Sequence, residues 1–257
     1  MPRSARKRSE TGIYHVMVRG INRQEIFHDD EDCQKYLETL EKIKKESSCE
    51  IYAYCLMGNH LHLLIREGKE HIEQIMKRIG ISYAYWYNWK YEHFGHVFQD
   101  RYKSECVNSD GYLMTVIRYI HNNPVKAGMV KKPELYKWSS CRAYYGEKDY
   151  LPGLTQTSFA LGLLSENNKA AIKKFRQFNE KENDDRCLED EKNVRASDEE
   201  VYKEITKMLK GKPISTLQQM ERMERDRILR EAKDIDGSSI RQIARITGIG
   251  YNIIIRA

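Results

Sequence analysis

The chain has 257 residues, 40% hydrophobic and 32% charged, with a formal net charge of +6. This is enough apolar material for one large domain or two smaller ones, yet the longest apolar stretches, such as Leu61 to Ile65, are far too short to span a bilayer. No apolar segment follows the basic N-terminus, and none of the six cysteines sits in a CxxC pair; a secretory signal, a zinc ribbon and a thioredoxin-like site are therefore not expected, and a cytoplasmic protein is.

Ile13 to Arg19 reads as a strand, with Tyr14, Val16 and Val18 on one face by the period of two. Asp29 to Asp32 offers N-cap acids to a helix whose apolar positions are Tyr36, Leu37, Leu40 and Ile43. Ile51 to Leu56 is a second strand and His60 to Ile65 a third. The short Met57-Gly58-Asn59 link makes these two antiparallel neighbours. Glu70 to Tyr91 is a long helix with a buried stripe of Ile72, Ile75, Met76, Ile79 and Tyr83. Its aromatic second half is expected to be mostly core, with some rings open to stack on unpaired bases. Val97 to Val107 reads as mostly extended. Asp110 to Asn122 is a further helix, stopped by Pro124 and Gly128 because proline cannot continue a helix.

The first six elements follow the ferredoxin-like split βαβ order. The expected fold class is α+β: one antiparallel sheet with packed helices over residues 1–150. Residues 151–200 read as a helical connector and an acidic linker. Residues 201–257 read as an all-α region ending in a helix-turn-helix, from Ser238 through the Gly248 turn. Charge follows the same division. Residues 1–23 hold six bases (Arg3, Arg6, Lys7, Arg8, Arg19, Arg23) against one acid. Residues 180–200 hold ten acids against four bases, and 201–257 hold twelve bases against seven acids. Two basic ends suit a protein that meets a polyanion at two places, and they also suit an ordinary solvated surface.

Two patterns carry chemistry. In His60-Leu61-His62, alternate residues of a strand leave the same face, so both imidazoles can share one divalent ion such as Mg²⁺, Mn²⁺ or Zn²⁺. Two ligands need a third from elsewhere, and an HxH pair can also be plain strand. The second pattern is Arg118-Tyr119-Ile120-His121-Asn122-Asn123-Pro124. Leu113, Val116, Ile117 and Ile120 define the buried helix face, and Tyr119 falls at its edge with Asn123 one turn later on the same side. A hydroxyl and an amide then leave the core's edge together; a packing tyrosine with a wet hydroxyl reads the same way. His15, His28 and His121 are further imidazoles that spacing alone does not place.

Met57-Gly58-Asn59-His60-Leu61-His62-Leu63-Leu64-Ile65 resembles the HUH segment of single-tyrosine transposases, the family of small insertion-sequence transposases and their REP-associated relatives. Tyr119 to Gly128 resembles the tyrosine helix of the REP-associated branch. Tyr14-His15-Val16 with Arg19-Gly20-Ile21-Asn22-Arg23, Val97 to Ser104, and Trp138-Ser139-Ser140 are similar to that branch as well. The resemblance implies that His60 and His62 hold a divalent metal (Mg²⁺ or Mn²⁺), with Asn123 as third ligand where relatives carry glutamine or a similar group. It implies that Tyr119 attacks a phosphate of single-stranded, hairpin-containing DNA, giving a 5′-phosphotyrosine and a free 3′-hydroxyl. Arg3, Arg6, Lys7, Arg8, Arg19 and Arg23 are expected to contact phosphates, and Arg241 and Arg245 to brace or read duplex DNA. The alternative is a domesticated, non-catalytic DNA-binding regulator on the same fold. A histidine-triad hydrolase would need a third alternating histidine where Leu64 stands; a replication initiator or relaxase shares the HUH chemistry but suits the length and the Tyr119 segment less well. Monomer and homodimer both remain open.

Overall fold

The computed structural model describes residues 7–188, 196–235 and 238–257. Arg3, Arg6 and residues 189–195 of the acidic stretch lie outside the described residues. The chain divides into two compact units, Met1–Leu188 and Glu189–Ala257. Residues 151–188, expected as connector, lie within the first unit.

The first unit opens with β1 (Ile13–Arg19), α1 (Asp30–Ser47), β2 (Glu50–Met57), β3 (His60–Arg66), α2 (Ile72–Lys90), β4 (Lys103–Cys106) and α3 (Asp110–Lys126). It continues with α4 (Cys141–Tyr144), α5 (Ser158–Gly162) and α6 (Asn168–Glu180). The four strands form one sheet in the order β2-β3-β1-β4, antiparallel at every pairing. The short Gly58-Asn59 turn returns β3 directly along β2, with Met57 facing His60.

Both sheet faces are covered. Tyr14, Val16 and Val18 of β1 and Leu61, Leu63 and Ile65 of β3 share one core with apolar residues of α1 and α2. The other face carries Ile13, Cys55, Met57 and Leu64 against Leu113, Val116, Ile117 and Ile120 of α3. The period of two sorts the residues between the faces. A bulge between Ile51 and Ala53 interrupts it, and Tyr52 and Ala53 both join the α3-side core. Helix α1 starts where the acids predict: Asp29 and Asp32 form a reciprocal capping box. Asp32 also accepts from Lys90 Nζ at 2.9 Å and from Tyr91 OH at 2.8 Å, which ties the start of α1 to the end of α2.

Two expectations need correction. The extended stretch Val97 to Val107 contributes only Lys103–Cys106 to the sheet, plus an isolated bridge between Gly20 and Phe98. Helix α3 does not stop before Pro124 but runs through it to Lys126. In the last turn proline forfeits a single backbone bond, and the helix is ended instead by Gly128 in left-handed geometry, φ +71°. The aromatics of α2 divide: Tyr83 and Tyr87 are buried, whereas Tyr85 and Trp89 are 79% and 75% exposed.

The second unit contains α7 (Asp198–Met208), α8 (Arg222–Lys233), α9 (Ile240–Thr247) and α10 (Tyr251–Arg256). Val201, Ile205, Leu229, Ile243 and Ile254 form its core. Ser197 caps α7 in a box with Glu200, Ser239 caps α9, and Gly248 ends α9 in left-handed geometry. Among the described residues no helix is long and apolar enough to cross a membrane.

Gly20 joins the end of β1 to the turn between β2 and β3, its N–H donating to Asn59 O at 2.9 Å. Its φ of −65° is ordinary; what it needs is space, since a Cβ there would run into Gln24 O and the Ile26 side chain. Gly20→Ala should destabilise the protein by about 1–3 kcal/mol in urea unfolding, the usual range for overpacking. Gly111→Ala, in the first turn of α3 with open space around its Cβ, should leave the midpoint unchanged or raise it.

Candidate active site

His60 and His62 leave the α3 face of β3, as alternate residues must. Their rings stand 5.2 Å apart, edge to face. His62 lies beside Met17 of β1 and Cys55 of β2, so it is central in the sheet and only 2% exposed. From β1, His15 reaches the same face and sits diagonally from His62. His15 Nε2 and His62 Nδ1 share a hydrogen bond of 3.0 Å. On its other side His15 stands directly across from Glu105 of β4, and its Nδ1 meets Glu105 Oε1 at 2.7 Å. The Leu188 N–H donates to the same carboxylate oxygen at 2.9 Å. His60 Nδ1 is engaged by Asn59 Oδ1 at 2.7 Å.

Helix α3 lays Tyr119 over this row. Its ring lies 5.6 Å from His62 and 5.8 Å from His15, edge-on to both. Lys126, two turns on, places Nζ 5.3 Å from the Tyr119 ring centre. Tyr119 is 5% exposed, deeper than a helical wheel implies, because its edge meets the two imidazoles. Asn123 Nδ2 donates to Tyr119 O at 2.9 Å, which commits the amide nitrogen and leaves the amide oxygen as the acceptor of that half-buried side chain.

Burial sets the electrostatics. It holds His60 down to about 4, with the Arg19 guanidinium adding to the effect. It holds His62 well below the ordinary imidazole value, helped by His15, His60 and Arg19. His15 is lowered by burial against the pull of Glu105. Burial opposes ionisation of Glu105, yet its hydrogen bonds and its attraction to His15 outweigh that and keep the carboxyl below the usual range. Around neutral pH the row is thus neutral imidazole anchored on a carboxylate. Arg19, opposite His60 in the β1–β3 register, carries the charge at the site's edge and is electrostatically coupled to Tyr119.

The sequence-predicted residues fall in three groups. His60, His62, Tyr119 and Asn123 are brought to one face, with Arg19 beside them. Lys7 and Arg8 are exposed elsewhere in the first unit, whereas exposed Arg23 lies near Arg19, its carbonyl accepting from Asn59 Nδ2 at 3.2 Å. Arg241 and Arg245 belong to α9 in the second unit; Arg241 is exposed, whereas Arg245 is held by Asp198 at 2.6 and 2.7 Å. Of the unplaced imidazoles, His28 bonds Tyr87 OH at 2.9 Å and His121 bonds Ser140 Oγ at 2.9 Å. Glu105 carried no signal in the sequence. The alternation of β1 put His15 opposite Tyr14 and Val16, and only the strand order could show that this face is also that of His60 and His62.

Residues 9–123 match the family model described as "Transposase IS200 like". This segment is similar to IS200-like transposase domains. It contains β1 to β4 and α3 through Asn123, hence every side chain of the row. Two solved structures resemble this chain. One is a REP-associated tyrosine transposase bound to a REP hairpin, 20% identical, covering 62% of this chain and 96% of its own, with a TM-score of 0.49. The other is described as a candidate transposase from Deinococcus radiodurans, 20% identical, covering 47% of this chain and 96% of its own, with a TM-score of 0.34. No curated protein matches the chain.

His121 shares a helix with Tyr119 but serves packing. Its ring lies against Tyr144 and Phe175, and burial takes its pKa down to about 3. Ser140 Oγ joins it to the Tyr54 backbone, accepting from Tyr54 N at 3.0 Å. Ser140→Ala strips both groups of a partner and should cost about 1–3 kcal/mol of stability, read by urea or thermal unfolding.

Proposed function

We propose that this protein is a transposase: a metal-dependent, single-tyrosine DNA strand-transfer enzyme that cleaves and rejoins hairpin-containing single-stranded DNA. The observation that carries the reading is the packing of Tyr119 edge-on against the His15–His62 pair, on the sheet face from which His60 also projects. A candidate nucleophile and two neutral imidazoles occupy one dry cluster.

The residues present fit a divalent ion. His60 and His62 are uncharged near neutral pH, and each has its Nδ1 engaged, by Asn59 and by His15, which leaves Nε2 as the nitrogen for a ligand. Asn123 has its amide oxygen to give. Among the described residues no group of three His, Cys, Asp or Glu side chains fits a metal; the donor set proposed from the motif resemblance is two imidazoles and one amide, with Mg²⁺ or Mn²⁺ as the ion. Bound there, the ion would stabilise charge that builds on phosphate oxygens.

The chain's own residues perform the rest. The Tyr119 oxygen bonds to phosphorus as its proton departs; the bond from phosphorus to the 3′ oxygen breaks, and that oxygen takes a proton. The products are a 5′-phosphotyrosine and a 3′-hydroxyl. The covalent link conserves the energy of the broken strand, so the reverse attack by a 3′-hydroxyl rejoins DNA without a nucleotide cofactor. Arg19 lies where a phosphate would need a counter-charge, and the exposed Lys7, Arg8 and Arg23 offer further phosphate contacts. The motif resemblance to the REP-associated branch points to a hairpin as target.

The strand order β2-β3-β1-β4, with β1-α1-β2-β3-α2-β4 along the chain, supports the ferredoxin-like label for the catalytic part. In the second unit α9, the Gly248 turn and α10 support a helix-turn-helix, with Arg241 on its exposed face for duplex DNA. Arg245 contributes instead to holding α9 on α7 through Asp198.

The test is incubation of single-stranded hairpin DNA, from repeats flanking the gene, with Mg²⁺ or Mn²⁺ and analysis on a denaturing gel. A covalent DNA–protein adduct is expected. Tyr119→Phe should abolish it, and His60→Ala should reduce it more than about 100-fold through lost transition-state stabilisation. Tight hairpin binding without an adduct, unchanged in both variants, would make the chain a binding regulator on this fold.

A further inference from the structure

Ionised carboxylates accept hydrogen bonds and never donate them. Glu105 therefore takes the Nδ1 proton of His15 across 2.7 Å. Neutral His15 is left with a lone pair on Nε2, and that nitrogen lies 3.0 Å from His62 Nδ1. A hydrogen bond there requires the proton to sit on His62 Nδ1. One carboxylate on β4 thus dictates the proton position on two successive imidazoles, the second two strands away. We infer that Glu105 is a positioning residue which, through His15, fixes His62 as the Nδ1–H tautomer and keeps the lone pair on its Nε2.

This inference rests on the metal-site reading above for its purpose, not for its geometry. Both candidate ligands come out alike: His60 Nδ1 donates to Asn59 Oδ1, so His60 also presents Nε2. For free histidine the Nδ1–H form is the minor tautomer, so an imposed partner is needed to hold it. Groups behind a metal-binding histidine that fix its tautomer typically matter about 10–100-fold in affinity. The anchoring carboxylate is itself held on both sides, since Leu188 N–H donates to the oxygen that His15 uses. Residues near Leu188 lie more than 80 positions beyond Glu105 in sequence, so the far end of the first unit closes on the polar row at its outer strand. His15 and Glu105 act on the site through His62 rather than as ligands themselves.

The decisive measurement is ¹⁵N NMR of the full chain labelled at histidine, without metal, where ring nitrogen shifts report the tautomer directly. His15 and His62 should both be Nδ1–H in the unsubstituted protein. Glu105→Gln keeps an oxygen that can accept from His15 and should preserve the pattern. Glu105→Ala removes the acceptor; His15 should move to Nε2–H, donate to His62 Nδ1, and drive His62 to Nε2–H. In parallel, Mn²⁺ affinity measured by electron paramagnetic resonance should fall about 10–100-fold in Glu105→Ala and far less in Glu105→Gln. An Nε2–H tautomer at His62 in the unsubstituted protein would overturn the inference, as would a pattern indifferent to Glu105→Ala. If the tautomers follow Glu105 but the unsubstituted protein binds no Mn²⁺, the positioning role stands and the metal reading of the site fails.

Discussion

Everything at the site depends on β3 being an inner strand buried on both faces. An inner strand must direct Leu61, Leu63 and Ile65 into one core, and the period of two then forces His60 and His62 onto the other. The register leaves no freedom, since a slip by one residue would bury the imidazoles among α1 and α2 and expose the leucines to α3. The two-residue turn at Gly58-Asn59 enforces that register. Its two carbonyls are held by N–H groups of Ile26, Phe27 and Gly20, so the strand start that carries His60 is fixed from three directions.

A row of polar rings inside a sheet is costly unless each finds a partner. The row satisfies itself. Glu105 serves His15, His15 serves His62, and Asn59 serves His60. The same burial that demands these partners also drives the imidazoles to their neutral form. Ligand competence and structural satisfaction are therefore consequences of one cause. Were the rings solvated, they would carry protons over part of the physiological range and compete poorly for a cation.

Much of this was legible in the chain and part was not, for reasons that differ by residue. The strands and the HxH pair follow from alternation, and the start of α1 from Asp29 and Asp32, because these are local patterns whose period the backbone imposes. His15 was visible as a residue on the polar side of β1 but could not be joined to His62, since pairing is a property of two segments. Glu105 was invisible: β4 has four residues, too few for a period, in a stretch whose flanks are irregular. The α2 aromatics were expected to be mostly core with some rings open, and spacing decides which: Tyr85 and Trp89, four apart, lie on the solvent side while Tyr83 and Tyr87 point inward.

The passage of α3 through Pro124 has the largest consequence for the site. Had the helix ended at Asn122, Asn123 would sit in a turn with no fixed relation to Tyr119, and Lys126 would lie outside the helix altogether. Continued to Lys126, the helix keeps Asn123 one turn above Tyr119, where its amide nitrogen closes on the Tyr119 carbonyl, and brings the Lys126 ammonium over the Tyr119 ring. At Pro124 the missing N–H forfeits one backbone bond to the preceding turn, and the buried pyrrolidine ring returns apolar contact. A proline at that position therefore does not cut the tyrosine off from its neighbours. It marks the last turn of a helix that keeps Asn123 and Lys126 beside Tyr119.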